Sequence, residues 1–96
     1  MARFNKVQVI CAMKETGMVP VFYNSDIDIC KNVIKACYDG GVRVFEFTNR
    51  GDFAHEIFGE LVKWAAKDCP ELILGSGTVL DAATAALYLQ LGANFI

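Results

Sequence analysis

The sequence predicts an α/β fold built around a parallel sheet. Short apolar runs rich in β-branched and aromatic residues alternate with segments whose apolar residues recur at helical spacing. Glycine, proline or clustered polar residues separate these segments, so each is predicted as a discrete element. The predicted order is one helix followed by β-α-β-α-β-α-β, and strands joined by helices in this way run parallel. The spacing of the strands is typical of both barrels and doubly wound sheets.

The first predicted elements are a helix over residues 3–16 and a strand over residues 18–23. Gly17 stands between them as a plausible stop for the helix. Pro20 is unusual within a strand, because it cannot donate a ladder hydrogen bond. The pattern places four apolar residues on one side of the first helix, namely Val7, Ile10, Cys11 and Met13.

The second helix is predicted over Ile27–Asp39, with N-cap chemistry supplied by the residues at 24–26. Gly40 and Gly41 end this helix. A strand over residues 42–47 follows. The apolar stripe of the second helix is formed by Ile27, Cys30, Val33, Ile34 and Cys37.

The remaining segments repeat the pattern and then stop on a strand. They are a polar turn over 48–52, a helix over 53–67, a strand over 71–74, a tight turn over 75–78, a helix over 81–91 and the start of a fourth strand over 93–96. Four parallel strands cannot close a barrel, which takes about 200 residues or more. We therefore expect the chain to belong to a longer protein, with a complete small α/β domain as the alternative.

Composition excludes several classes of function. The 96 residues suffice for one domain, and the net charge of −2 comes without a basic patch, so a nucleic-acid partner is not expected. The apolar runs are too short to span a bilayer, and the N-terminus lacks the apolar core of a secretory signal, so the cytoplasm is the expected location. The cysteines form no C-x-x-C pair and are expected to be free thiols: Cys11, Cys30, Cys37 and Cys69.

Glu46 is the most informative candidate for chemistry. It stands near the carboxyl end of the second strand and shares a face with Val42 and Val44 by strand alternation. A carboxylate among valines suits a general acid or base. The alternative is a strand-end carboxylate that reaches solvent or pairs with Arg43 or Arg50.

Other candidates follow the strands at the edge where parallel α/β folds place their sites. Arg50 can grip a carboxylate or phosphate with two hydrogen bonds, or can be an exposed loop arginine. The Gly75-Ser76-Gly77-Thr78 run allows close approach of a ligand, although Thr78 can equally serve as a helix N-cap. His55 and Asp81 fit helix starts better than catalysis. All six lysines fall on predicted helices.

Two runs resemble the 2-keto-3-deoxy-6-phosphogluconate (KDPG) and 4-hydroxy-2-oxoglutarate (KHG) aldolases. Residues 40–50, Gly-Gly-Val-Arg-Val-Phe-Glu-Phe-Thr-Asn-Arg, are similar to that family's glutamate and arginine signature, and residues 74–80 look like its glycine-x-glycine-threonine-valine-leucine turn. The run 17–22 also matches, including its strand proline. Asn49 and the phenylalanines beside Glu46 depart from the commoner aliphatic residues, which leaves substrate preference open.

The resemblance implies the N-terminal half of a single (β/α)8 TIM barrel over residues 1–96, comprising a helix, three βα units and the start of strand 4. It implies a homotrimeric class I lyase of the Entner-Doudoroff pathway that needs no metal or organic cofactor and cleaves KDPG to pyruvate and glyceraldehyde 3-phosphate. Glu46 would be the acid/base residue, and Arg50 and Thr78 would bind the carboxylate of the pyruvate moiety. The Schiff-base lysine and the phosphate loops would lie beyond Ile96.

Two other functions stay open on the sequence. The chain can belong to another barrel that binds a phosphorylated ligand, such as an epimerase or a synthase. It can also be a half-barrel without catalytic activity that pairs with another copy to cover its strand edge.

Overall fold

The computed structural model describes residues 2–96, and its helices and strands alternate as predicted. Three parallel strands form one sheet in the order β1-β2-β3. The elements are α1 (Lys6–Thr16), β1 (Val21–Phe22), α2 (Ile27–Asp39), β2 (Val44–Thr48), α3 (Ala54–Asp68), β3 (Ile73–Gly77) and α4 (Ala82–Gln90). The α/β class and the parallel sheet are therefore confirmed.

Local capping fixes the ends of the first two helices. Asn5 and Gln8 form a reciprocal capping box at the start of α1, and Gly17 ends α1 with a left-handed φ of 73°. Asp26 caps α2 by accepting hydrogen bonds from the backbone N–H groups of Asp28 and Ile29. The predicted stop at Gly17 and the predicted N-cap region at 24–26 are both confirmed.

Two apolar clusters cover the two faces of the sheet. The face that we call outer carries Phe45 and Phe47 against α2, α3 and α4. The face that we call inner carries Val44 and Ile73 against Val9 of α1. Because successive strand residues point to opposite faces, Glu46 and Thr48 share the inner face with Val44.

The predicted apolar side of α1 is wrong in part. Val9 is the buried residue of this helix, whereas Val7 and Ile10 are 69% and 54% exposed and Cys11 is also exposed. Met13 does pack against the inner cluster. The helix meets the sheet where Val9 packs against Val44 and Ile73, at the start of β2 and β3, and Val7 and Ile10 lie outside this contact.

The strands differ from their predicted bounds because pairing, and not apolar sequence alone, decides where a strand lies. β1 is only two residues long, and Pro20 contributes just its carbonyl, which accepts from Glu46 N at 2.9 Å. β3 was predicted over 71–74 but runs over Ile73–Gly77, opposite Val44–Thr48. The predicted tight turn at 75–78 is therefore wrong, since most of it is strand.

The predicted fourth strand at 93–96 is not formed as a strand, although the segment already lies along β3. Asn94 N donates to Leu74 O at 2.9 Å, and Ser76 N donates to Phe95 O at 3.1 Å. The side chain of Asn94 also accepts from the backbone N–H groups of Arg3 and Phe4, which ties the two ends of the described chain together.

All four cysteines are free thiols, as predicted. Cys30 and Cys69 are buried in the outer cluster, and burial raises the pKa of each thiol. No helix within residues 2–96 is long and apolar enough to cross a membrane.

Candidate active site

Glu46 lies in the middle of β2 on the inner face, as the alternation predicted. Its register partners are Val21 on β1 and Gly75 on β3, and its side chain is half-buried. The carboxylate points toward the carboxyl end of the sheet and lies over Gly77. Glu46 is thus the acidic side chain that the inner face of β2 presents near the strand ends.

The glycines of β3 make room for side chains of the protein itself. A Cβ atom on Gly77 would overlap Oε2 of Glu46, and a Cβ atom on Gly75 would overlap the ring of Phe95. The glycine run predicted the close approach of a ligand, whereas in the structure the space beside Gly77 and Gly75 is taken by Glu46 and Phe95. Only a glycine at position 77 leaves the Glu46 carboxylate where it lies.

Arg50 stands in the turn over residues 49–53, which we call the Arg50 turn, directly beyond the carboxyl end of β2. Its side chain is exposed and makes no hydrogen bond or ion pair with any residue of 2–96. Arg43 pairs with Glu71, with Nε 3.3 Å from Oε2, at the opposite end of the sheet. Neither arginine therefore holds Glu46 in an ion pair, and the guanidinium of Arg50 is available to a ligand.

Thr78 is the first residue beyond β3 and is exposed. Its φ of 58° is in the left-handed region, which is unusual for a threonine. The alternative role as N-cap of α4 is wrong, because the Asp81 side chain accepts from Thr84 N at 2.7 Å in that position. Asn49 N donates to Gly77 O at 2.9 Å, so the backbone joins the two strand ends from which Arg50 and Thr78 extend.

Two buried hydroxyl groups near the site were not singled out from the sequence. Thr48 follows Glu46 on the inner face, and Ser76 lies on the outer face opposite Phe47. Both side chains are buried; the Thr48 hydroxyl has no hydrogen-bond partner within residues 2–96, and the Ser76 side chain lies beside the Tyr88 hydroxyl. The alternation that identified Glu46 also predicts that Thr48 shares its face, whereas no signal in the sequence identifies Ser76.

The remaining candidate residues lie on helices and not on the strands of the sheet. His55 is half-exposed in the first turn of α3, with its ring centroid 6.5 Å from that of Phe53. The six lysines lie on α1, α2 and α3. Within residues 2–96 no group of three or more histidine, cysteine, aspartate or glutamate side chains could hold a metal ion. A carboxylate can exchange protons and an arginine can bind an anion, and the carboxyl end of this sheet carries one residue of each kind.

A family model described as KDPG and KHG aldolase matches residues 9–96. The chain belongs to the KDPG and KHG aldolase family. Its similarity to the KHG/KDPG aldolase of Escherichia coli strain K12 is 36% identity over 78 residues, and to the 2-dehydro-3-deoxy-phosphogluconate aldolase of Pseudoalteromonas atlantica 35% over 78 residues. The relatives are aldolases, which supports a lyase family and confirms the resemblance found in the sequence.

The fold agrees with a solved member of the family. The 2-keto-3-deoxy-6-phospho-gluconate aldolase of Zymomonas mobilis superposes with a TM-score of 0.75 and 28% identity, covering 91% of this chain and 40% of that chain. The matched segment makes up 35% of the Escherichia coli aldolase and 34% of the Pseudoalteromonas one. The chain thus spans about a third of the length of these relatives.

Proposed function

We propose that this chain is the N-terminal part of a (β/α)8 class I aldolase that cleaves 2-keto-3-deoxy-6-phosphogluconate to pyruvate and glyceraldehyde 3-phosphate. Cleavage of 4-hydroxy-2-oxoglutarate by the same site is part of the proposal. The observation that carries it is the Glu46 carboxylate on the inner face of β2, held over Gly77 in a chain of the aldolase family. A homotrimer in the cytoplasm is the assembly and location that go with this function.

The proposed reaction begins with a lysine amine from a later strand of the longer protein. The amine attacks the keto carbon of the substrate and loses water to give an iminium, which then accepts electrons from the breaking bond. A base removes the proton of the carbinol hydroxyl, the carbon–carbon bond breaks, and an enamine of pyruvate remains. A proton returned to the enamine carbon and hydrolysis of the imine release pyruvate.

Glu46 is the base and acid of this cycle. Its side chain faces inward and is not neutralised by either Arg43 or Arg50, so the carboxylate is free to take up and return a proton. Arg50, exposed and without a partner in residues 2–96, binds the substrate carboxylate, and Thr78 at the neighbouring strand end assists. These contacts hold the keto carbon within reach of the lysine.

Borohydride trapping on the longer protein tests the proposal. Incubation with pyruvate and borohydride should add one reduced pyruvyl group to a lysine beyond Ile96, seen by intact mass and located by peptide mapping. Glu46→Gln should retain part of this adduct and lose turnover by about 10²- to 10⁴-fold, because imine formation precedes the step that needs the base.

Glu71→Gln is the matched control, since Glu71 is an exposed carboxylate at the opposite end of the sheet. Its turnover should stay close to that of the unmodified protein. A protein that forms no adduct with pyruvate would exclude the Schiff-base reaction and favour an epimerase or synthase. Turnover of Glu46→Gln within a few-fold of the unmodified protein would remove Glu46 from the mechanism.

A further inference from the structure

The Arg50 turn has little local structure to hold it. The residue at the N-cap position of α3 is Phe53, which is 66% exposed, has a left-handed φ of 61° and offers no side-chain cap. Arg50 N donates to Thr48 O at 3.0 Å, and Ala54 N donates to Gly51 O at 3.2 Å. The turn thus has two backbone hydrogen bonds of its own but lacks the side-chain cap that often stabilises the start of a helix.

A buried tyrosine from α4 contacts the first residue of this turn. Tyr88 is fully buried, and its hydroxyl donates a hydrogen bond of 2.8 Å to Oδ1 of Asn49. This hydrogen bond joins residues 39 positions apart, and Asn49 immediately precedes Arg50 in the chain. The backbone N–H of Asn49 is bound as well, to Gly77 O at 2.9 Å, so Asn49 is held through both its side chain and its main chain.

The environment of the phenol makes this bond costly to lose. The ring of Tyr88 packs against Phe58 with centroids 5.2 Å apart, and burial raises the pKa of the phenol. A buried hydroxyl that loses a partner pays a cost of desolvation, so the bond to Asn49 stabilises the turn, although the Ser76 side chain also lies beside the phenol. The Tyr23 hydroxyl also lies so close to Gly51 that a Cβ atom there would overlap it.

We propose that Tyr88, through its hydrogen bond to Asn49, is a positioning residue that holds Arg50 in place for the substrate carboxylate. The inference rests on the proposed function of Arg50 and adds two residues to it. The tyrosine touches no substrate and acts through the turn. Its effect therefore falls on binding of the carboxylate rather than on the proton transfers at Glu46.

The experiment compares Tyr88→Phe with the unmodified longer protein. Tyr88→Phe keeps the ring in the core and removes only the hydroxyl. We expect KM for the substrate, and the pyruvate concentration that gives half-maximal borohydride trapping, to rise roughly 3- to 10-fold, the loss that one hydrogen bond accounts for. The value of kcat should stay within about twofold, because a contact made equally in ground state and transition state sets KM.

A double-variant cycle separates positioning from independent packing effects. Asn49→Leu and the pair Asn49→Leu with Tyr88→Phe should both raise KM by about as much as Tyr88→Phe alone, because all three lack the same bond. If Tyr88→Phe folds poorly, Asn49→Leu still removes the hydrogen bond, and it does so at a half-buried residue outside the core. Additive increases in KM would overturn the proposal.

Tyr38→Phe is the matched control for losing a tyrosine hydroxyl. The Tyr38 hydroxyl accepts from Glu71 N at 3.4 Å at the opposite end of the sheet, far from the Arg50 turn. Its removal should leave KM unchanged. An unchanged KM in Tyr88→Phe, or the same rise in Tyr38→Phe, would show that Tyr88 is only a core residue. Failure of the proposed function is distinct, because then the unmodified protein would form no pyruvate adduct.

Discussion

Gly77 is a residue whose importance comes from the side chain that lies on it. A Cβ atom there would overlap both Oε2 and the carboxyl carbon of Glu46, and β3 already pairs with Thr48 at this position. The backbone cannot shift to make room without breaking that pairing. The carboxylate would have to move instead.

We predict that Gly77→Ala lowers turnover of the longer protein by about 10²-fold, because a catalytic group displaced by about 1 Å loses that much. The variant should remain folded by circular dichroism. Gly40→Ala is the control: the residue has a right-handed helical backbone, and the nearest atom to its Cβ would be at an ordinary 3.4 Å. Full turnover in Gly77→Ala would mean that the carboxylate does not need this position.

Also at the residue scale, Thr48 and Asn49 differ in whether their surroundings are set by nearby or by distant residues of the chain. Thr48 is assigned to the inner face by alternation alone, and its buried hydroxyl lies on the face that Glu46 shares. In the sequence, Asn49 is a turn residue that departs from the family's commoner aliphatic residue, and nothing there predicts its hydrogen-bond partner. Its partner Tyr88 comes from a helix that the chain reaches only after another strand.

At the scale of elements, the start of α4 depends on its N-cap residue, Asp81. The helix carries no charged residue within Ala82–Gln90, and Asp81 satisfies a backbone N–H at its start by accepting from Thr84. The hydrogen bond from the Thr84 backbone lowers the pKa of the Asp81 carboxyl below its usual value of 3.8. A hydrogen bond from the Thr84 side chain lowers this pKa further, by a smaller amount. The ionised form is therefore the one that the folded state prefers.

We predict that Asp81→Ala lowers the urea midpoint of the longer protein at neutral pH, whereas Asp81→Asn keeps most of it, because an amide oxygen can also cap. A carboxyl with a lowered pKa contributes stability above pH 3.8, and that contribution is lost as pH falls through the folded pKa. The difference between Asp81→Ala and the unmodified protein should therefore shrink in acid. Equal midpoints at neutral pH would contradict the capping role.

At the scale of the whole molecule, packing against the outer face of the sheet buries two thiols and a phenol. Cys30, Cys69 and Tyr88 are buried in the outer cluster, and burial raises the pKa of each above its usual value of 9.0 for cysteine or 10.0 for tyrosine. The folded state accepts these groups in their neutral forms. The unfolded chain ionises them at lower pH than the folded chain does.

The sign of the resulting pH dependence follows directly. Each group contributes stability that is complete below its unfolded pKa and lost as pH rises through its folded pKa. We predict that the free energy of unfolding, measured with urea on the longer protein, falls as pH rises above 9.0 and further above 10.0. Tyr88→Phe should flatten the later part of this fall. A free energy that is constant over this range, or an identical fall in the variant, would contradict the assignment.

The sequence by itself determined the order of the elements as far as α4, the bounds of α2, the stop at Gly17 and the face that Glu46 shares with Val44. Hydrophobic period, capping residues and strand alternation are local properties, written within a few neighbouring positions. The family signature that contains Glu46, Arg50 and Thr78 could also be recognised from the sequence, because it lies in two short runs.

Only the tertiary structure decided which part of 71–78 is strand, which side of α1 is buried and what the glycines of β3 accommodate. Each depends on a partner far away in the chain: β2 sets the register of β3, Val9 meets the sheet, and Glu46 lies over Gly77. The Tyr88 to Asn49 hydrogen bond belongs with them. Nothing in a local pattern specifies a contact between distant segments, because such contacts exist only once the helices and strands have packed together.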